Sequence, residues 1–104
     1  MYALISRTGD PFPALEQVES PALGPDDVRV EVSAAGFTLY DAVAASNHSL
    51  LGLPDVIGLG FDFSGVVTEV GTGVRNAHVG DQVAGVHDDV TARARAHATE
   101  VVVP

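Results

Sequence analysis

The sequence GFDFSGVVTEVGTGVRNAHVGDQV, residues 60–83, contains five glycines separated by short runs rich in valine. Glycine at such intervals is typical of strands that end in tight turns, because glycine permits bends and positive φ. β-Branched runs between these turns favour extended structure. The pattern predicts strands at residues 63–70 and 82–86, separated by turns at 71–73 and 76–81.

The flanking segments predict further strands. Residues 2–6 form a short apolar run, residues 14–19 read as a second extended piece, and residues 98–103 form a closing apolar run. The segment VRVEVS, residues 28–33, alternates valine with polar residues, and this period of two indicates a strand with one buried face. Six or so short strands are therefore expected.

One segment predicts a helix. Thr38 and Asp41 match the [ST]-x-x-[DE] capping arrangement, and the alanine-rich sequence that follows has good helix propensity. We expect a short helix at about residues 39–46, followed by a loop at 47–54. The predicted fold class is mainly β, a partly open β-barrel with one or two short helices.

Composition excludes several classes of function. A length of 104 residues with 46% hydrophobic and 18% charged residues fits one compact domain without an internal boundary. The formal charge of -9 disfavours nucleic acids and anionic membranes as partners.

The chain has no cysteine, which excludes disulfides, cysteine-ligated zinc and a thiol nucleophile. With no leader pattern or long apolar run, a cytoplasmic location is expected.

Taken together, the glycines fit G-F-D-x-x-G-x-x-x-x-x-G-x-x-V followed by V-G-D-x-V-x-G. This pattern resembles the N-terminal GroES-like catalytic domain of the medium-chain dehydrogenase/reductase family, which includes zinc alcohol dehydrogenases and quinone oxidoreductases. The segments MYALI, GPDDVRVEVSAAGF (24–37) and EVVVP (100–104) agree in order and spacing. The resemblance covers essentially the full chain, and it implies the barrel also found in small co-chaperonins.

The chain departs from this family at the metal site. Zinc-dependent members carry a cysteine after the Ala-Ala-Gly segment and a histidine in a Gly-His-Glu triplet. Here Thr38 stands at the cysteine position and Phe61 at the histidine position, and only Asp62, which matches the glutamate, keeps ligand character. The cysteine-rich lobe for a structural zinc is also missing. The resemblance therefore implies the zinc-independent quinone oxidoreductase branch, with no metal ligands in this chain.

The zinc-independent branch implies NADPH-dependent reduction of quinones, enones or enoyl thioesters. Without a metal, hydrogen-bond donors must stabilise the developing enolate. The resemblance gives Tyr40 and Thr38 as catalytic candidates, and Thr38 is also the candidate for cofactor binding. A helix cap explains both Thr38 and Asp41 and is the simpler interpretation of these two residues. For Tyr40, packing at the barrel rim is as plausible as a role in proton transfer.

Three residues are candidates for substrate binding: Phe61, Asp62 and His48. An aromatic ring at Phe61 could form part of a flat apolar slot for a quinone. His48 falls in a loop that faces substrate in the family, although a solvent-facing position is the simpler expectation. We expect all four histidines, His48, His78, His87 and His97, to be ordinary surface or loop residues, and Phe63 to lie in the core.

The end of the chain departs from the family as well. Members usually have Gly-x-Tyr-Ala-Glu before the last strand, whereas this sequence has Arg95-Ala-His97-Ala-Thr99. We therefore expect an active site that differs from the family's usual form.

No glycine-rich Rossmann turn occurs in these residues, so NADPH binding requires a Rossmann domain supplied elsewhere, for example by a partner chain. We expect little activity from this domain alone, and a homo-oligomer because bare barrel edges favour self-association. The expected substrate is a small apolar carbonyl compound or quinone. The alternative is a free-standing barrel that has lost redox chemistry and binds or non-oxidatively transforms a small apolar ligand, with residues 87–99 as its new feature.

Overall fold

The computed structural model describes residues 1–49 and 51–104. This part of the chain has seven strands and one helix, which follow one another as β1 (Tyr2–Arg7), β2 (Ala14–Gln17), β3 (Val28–Ala35), α1 (Leu39–Ser46), β4 (Val56–Gly58), β5 (Asp62–Val70), β6 (Gln82–Val86) and β7 (Glu100–Val103).

The strands form two antiparallel sheets that do not close into one continuous barrel. The smaller sheet has the order β2-β1-β4, and the larger sheet has the order β6-β5-β3-β7. Among the described residues, an isolated bridge between Ala3 and Ala98 joins the two sheets. The mainly β, partly open barrel expected from the sequence is confirmed.

The long antiparallel pair of β3 and β5 carries the main core. Val30 pairs with Val67, both are buried, and Phe63 on the same face lies in the core as expected. A side chain at Gly65 would collide with the carbonyl of Glu31 on the neighbouring strand. Glycine at this position therefore lets β3 and β5 approach closely enough to pair.

A second apolar cluster lies beneath α1. Ala44 of the helix packs with Ile57 and Leu59, which lie in and just after β4. This contact fixes the helix against the smaller sheet. The N-terminus of α1 is consequently held beside the β4–β5 connection, where the candidate site residues lie.

Most element boundaries follow the sequence pattern, with one omission. The helix occupies Leu39–Ser46 as expected, and Thr38 and Asp41 form the reciprocal capping box. The sequence did not predict β4, a three-residue strand that pairs with β1. The loop expected at 47–54 contains Leu50, which lies outside the described residues.

None of the helices in the described ranges is long and apolar enough to cross a membrane.

Candidate functional site

The carboxylate of Asp41 connects the start of α1 to the β4–β5 connection. Its Oδ2 accepts hydrogen bonds from the backbone N–H of Thr38 at 3.0 Å and from the Thr38 hydroxyl at 3.2 Å. Its Oδ1 accepts from the backbone N–H of Gly60 at 3.0 Å. Asp41 is fully buried, so these donors replace the water that an exposed carboxylate would bind. The helix start and Phe61, next to Gly60, are thereby held together.

Phe61 lies at the centre of an aromatic and cationic cluster. The Tyr40 ring approaches it edge-on, with ring centroids 5.1 Å apart and planes inclined at 68°. The Arg95 guanidinium lies over the Phe61 ring, with its Cζ 4.2 Å from the ring centroid. The structure therefore brings together Tyr40 and Phe61, and Asp41 links Thr38 to the same place.

Arg95 was not among the residues selected from the sequence. Its side chain is only 1% exposed, and its Nη2 donates to the carbonyl of His87 at 2.7 Å. Its Nε finds no hydrogen-bond partner among the residues that the structure describes. Burial lowers the pKa of Arg95, and the nearby Asp41 carboxylate opposes that shift. A guanidinium still keeps its charge under such conditions.

One signal in the sequence pointed to this residue. Arg95 stands where the family motif before the last strand usually has glycine. A long cationic side chain at a position that normally has none needs space and a counter-charge. Only the folded chain shows that Arg95 lies over the Phe61 ring and that the Asp41 carboxylate provides the nearby negative charge.

His87 lies beside Arg95 and is half-buried, contrary to the expectation of an ordinary surface residue. Its backbone N–H donates to the carbonyl of Phe61 at 2.7 Å. Its Nδ1 is buried and has no partner within the described part of the chain. Burial lowers the pKa of His87, and the charge of Arg95 lowers it further, whereas Asp88 and Asp89 act in the opposite direction.

The expectation that His48 faces solvent is wrong. This residue is 4% exposed, its Nδ1 bonds to the carbonyl of Pro54 at 2.9 Å, and its Nε2 lies 2.7 Å from the buried hydroxyl of Ser6. Both ring nitrogens are engaged inside the protein. The substrate contact expected of His48 stays a prediction, and its burial argues against it.

The remaining candidates lie at the edge of the site. Asp62 is exposed at the start of β5, and its carboxylate lies against the backbone of Gly36. His97 is half-buried rather than on the surface, and its Nε2 donates to the carbonyl of Gly36 at 2.7 Å. The Phe37 ring stacks on His97 with centroids 6.1 Å apart. His78 is exposed as expected.

The residues at this place do not fit a zinc ion. Thr38 and Phe61 stand at the two positions that the resemblance gives to zinc ligands, and the buried Arg95 guanidinium lies over the Phe61 ring. Among residues 1–49 and 51–104, no group of three or more His, Cys, Asp and Glu side chains could hold a metal. A divalent ion here would lack ligands and would meet a like charge.

Known proteins are similar to this chain in sequence and in fold. The family model "Alcohol dehydrogenase GroES-like domain" matches residues 24–101. The chain is similar to a trans-enoyl reductase of Gibberella fujikuroi, with 33% identity over 80% of this chain and 23% of that protein. It is also similar to quinone oxidoreductase-like protein 2 of Mus musculus, with 35% identity over 81% of this chain and 24% of that protein.

A solved structure agrees with these matches. An alcohol dehydrogenase superfamily protein from Novosphingobium aromaticivorans superimposes with a TM-score of 0.86 and 30% identity, over 99% of this chain and 32% of that one. The chain thus spans about a quarter of the length of the two curated relatives. Its barrel, its glycine pattern and the family match agree, and the chain belongs to the family of alcohol dehydrogenase GroES-like domains.

Proposed function

We propose that this chain is the substrate-side domain of a zinc-independent, NADPH-dependent reductase of quinones, enones or enoyl thioesters. The observation that carries the proposal is the contact between Tyr40 and Phe61, with ring centroids 5.1 Å apart. The resemblance gives Phe61 the position of a zinc ligand in zinc-dependent members. Similarity to a trans-enoyl reductase and to a quinone oxidoreductase-like protein supports the class of substrate.

The proposed chemistry needs a donor to the substrate oxygen. NADPH bound by a Rossmann domain would supply the hydride, and a hydrogen bond from this chain would stabilise the negative charge that develops on the carbonyl oxygen of the substrate. Tyr40 is half-buried and offers a phenolic hydroxyl beside Phe61. The Thr38 hydroxyl is bonded to the Asp41 carboxylate. We assign proton donation to Tyr40, and to Thr38 a catalytic position at the boundary with the cofactor.

Substrate binding follows from the same arrangement. The Phe61 ring offers an apolar surface for a flat conjugated system, and the exposed Asp62 borders it. NADPH is held by a Rossmann domain outside these residues, on the same or another polypeptide. Phe37 and Leu39 flank Thr38 and are 70% and 81% exposed, so they form an apolar surface suited to such a domain or to a second copy of the chain.

Binding of substrate is tested on the isolated chain by NMR. A substituted benzoquinone and a cyclic enone are titrated separately, and the absence of cysteine avoids thiol adducts. We expect shifts centred on Tyr40 and Phe61, and Phe61→Ala should weaken binding by about tenfold or more, whereas Val79→Ala on the exposed surface should not. Shifts confined to other regions would contradict the proposed site.

The cofactor requirement is tested with two measurements. Fluorescence titration of NADPH with the chain alone should show no binding at micromolar concentrations, because the pyrophosphate site lies elsewhere. Joined to the Rossmann domain of a relative, the chain should oxidise NADPH in the presence of a quinone, and a metal chelator should leave the rate unchanged. Tyr40→Phe should lower kcat by about 10²-fold. A chelator-sensitive rate would contradict zinc independence.

A second function is favoured by a separate observation. A cleft of about 900 Å³ opens beside the larger sheet, and its lining includes Val28, Phe63, Val83 and His87. This volume suits a small apolar ligand. We propose as the alternative a free-standing barrel that binds such a ligand without redox chemistry. Residues 87–89 would then form part of the lining of the binding cleft.

The two functions predict different binding sites. If an apolar ligand shifts the resonances of Phe63 and Val83 rather than those of Tyr40 and Phe61, the alternative gains support. Val83→Asp places a charge on the wall of the cleft and should abolish binding there. The same variant should leave binding at Phe61 unchanged.

A further inference from the structure

Two departures from the family pattern meet in the fold. Phe61 replaces the histidine of the Gly-His-Glu triplet, and Arg95 replaces the glycine before the last strand. In the structure the Arg95 guanidinium lies 4.2 Å from the centre of the Phe61 ring. Phe61 cannot coordinate a metal ion as histidine would, and its ring instead contacts the guanidinium cation of Arg95.

The surroundings of Arg95 stabilise its charge but do not neutralise it by direct pairing. The Phe61 ring presents its electron-rich face, the His87 carbonyl accepts one hydrogen bond, and the buried Asp41 carboxylate lies near enough to favour the charged form. Asp41 itself is bonded to backbone and hydroxyl donors of Thr38 and Gly60. The Arg95 side chain is 1% exposed, and its Nε–H has no partner among the residues that the structure describes, so the guanidinium keeps its electrostatic effect on its neighbours.

We propose that Arg95 supplies, from within the chain, the positive charge that acts on the Tyr40–Phe61 site. The inference rests on the proposed function for its chemical purpose, because a fixed cation stabilises the negative charge that develops on the substrate oxygen and on the Tyr40 oxygen after proton donation. Arg95 is enclosed by protein and is therefore a positioning and electrostatic residue rather than one that touches substrate. Its charge also disfavours a divalent ion at this position.

The effect of the Arg95 charge on position 61 can be measured without an activity assay, as a shift in the pKa of a histidine placed there. Phe61→His places a titratable imidazole where the guanidinium now rests on the ring, and NMR gives its pKa. Four variants are compared: Phe61→His alone, and the same change combined with Arg95→Met, with Arg95→Lys or with Arg75→Met. Arg95→Met removes the charge and keeps an unbranched apolar stem, Arg95→Lys keeps the charge, and Arg75 is an exposed arginine that serves as the control.

We expect the imidazole at position 61 to titrate lower with Arg95 present than with Arg95→Met, by about one pH unit or more. Arg95→Lys should keep the low value, and Arg75→Met should not change it. Equal pKa values with Arg95 and with Arg95→Met would overturn the inference, as would a rise in the Arg95→Lys variant as large as that in Arg95→Met. A purely structural role would not distinguish lysine from methionine in this way.

If Phe61→His prevents folding, His87 serves as the reporter in an otherwise unchanged chain. The charge of Arg95 lowers the pKa of His87, so Arg95→Met should raise it and Arg95→Lys should not. An unchanged His87 titration in folded Arg95→Met would overturn the inference. Both titrations use the isolated chain, so they stand apart from the substrate and NADPH experiments that test the proposed function.

Discussion

The buried carboxylate of Asp41 accepts a hydrogen bond from the backbone N–H of Gly60 at 3.0 Å. The same carboxylate caps α1 through Thr38. The start of α1 and the β4–β5 connection therefore share one acceptor, although Asp41 and Gly60 are 19 residues apart in sequence. The position of Phe61 relative to Tyr40 depends on this link, because Phe61 directly follows Gly60 and Tyr40 directly precedes Asp41.

Removal of the Asp41 carboxylate should destabilise the domain more than removal of the Thr38 cap. Asp41→Ala leaves the buried Gly60 N–H and the Thr38 N–H without acceptors, which we expect to cost about 2–4 kcal/mol of unfolding free energy. Thr38→Ala removes the bond that the hydroxyl accepts from the Asp41 N–H and the one that it donates to the Asp41 carboxylate, and should cost about 1 kcal/mol. Urea denaturation measures both. Equal losses would show that the bond to Gly60 contributes little.

Gly60 and Gly80 form a matched pair for separating backbone strain from steric conflict. Both have positive φ, +100° and +95°. A Cβ at Gly60 would lie 2.6 Å from the backbone nitrogen of His97, whereas a Cβ at Gly80 would meet nothing within 4 Å. Gly80→Ala should cost about 1–2 kcal/mol from φ alone, and Gly60→Ala at least about 3 kcal/mol because overpacking adds to it. Similar costs in thermal or urea denaturation would contradict close packing at Gly60.

The sequence predicted those features that depend on neighbouring residues. Alternation at residues 28–33 located β3, and the spacing of Thr38 and Asp41 located α1, because both patterns report local backbone geometry. The glycines predicted turns for the same reason. The short strand β4 escaped prediction because three residues are too few to show a period, and its pairing with β1 is a contact between distant segments.

The cluster around Phe61 could be predicted only in part. The resemblance gave Tyr40 and Phe61 as site candidates without predicting their contact, and Arg95 joins Phe61 through a contact between segments far apart in sequence. Likewise, burial of His48 depends on Ser6, in β1, and on the Pro54 carbonyl. A histidine in a loop looks exposed from its sequence context, because long-range hydrogen-bond partners leave no local signal.

Stability should fall in acid in part through His87. Its folded-state pKa lies below the ordinary 6.5, so as the pH falls below 6.5 the unfolded chain takes up a proton before the folded chain does. The contribution of neutral His87 is thus present above that value and is lost as the pH falls through the folded pKa. Around the imidazole, Arg95 lowers the pKa, while Asp88 and Asp89 oppose it.

His87→Gln isolates this contribution from the many carboxylates. The variant should gain stability relative to the unmodified chain at about pH 5 compared with about pH 8. Urea denaturation of both proteins at the two pH values gives the difference. A stability difference that does not change with pH would show that His87 titrates alike in the folded and unfolded chains.

Ser6 and His48 form a buried pair that a double-mutant cycle can measure. Ser6→Ala leaves the His48 Nε2 without its partner at 2.7 Å and should cost about 1–3 kcal/mol, because a buried polar atom then lacks a hydrogen bond. In a His48→Phe background the same change should cost less, with a coupling of about 0.5–3 kcal/mol. Ser49→Ala, at an exposed position, is the control and should change the unfolding free energy by less than about 0.5 kcal/mol. Additive effects of Ser6→Ala and His48→Phe would mean that the hydroxyl and the imidazole do not interact.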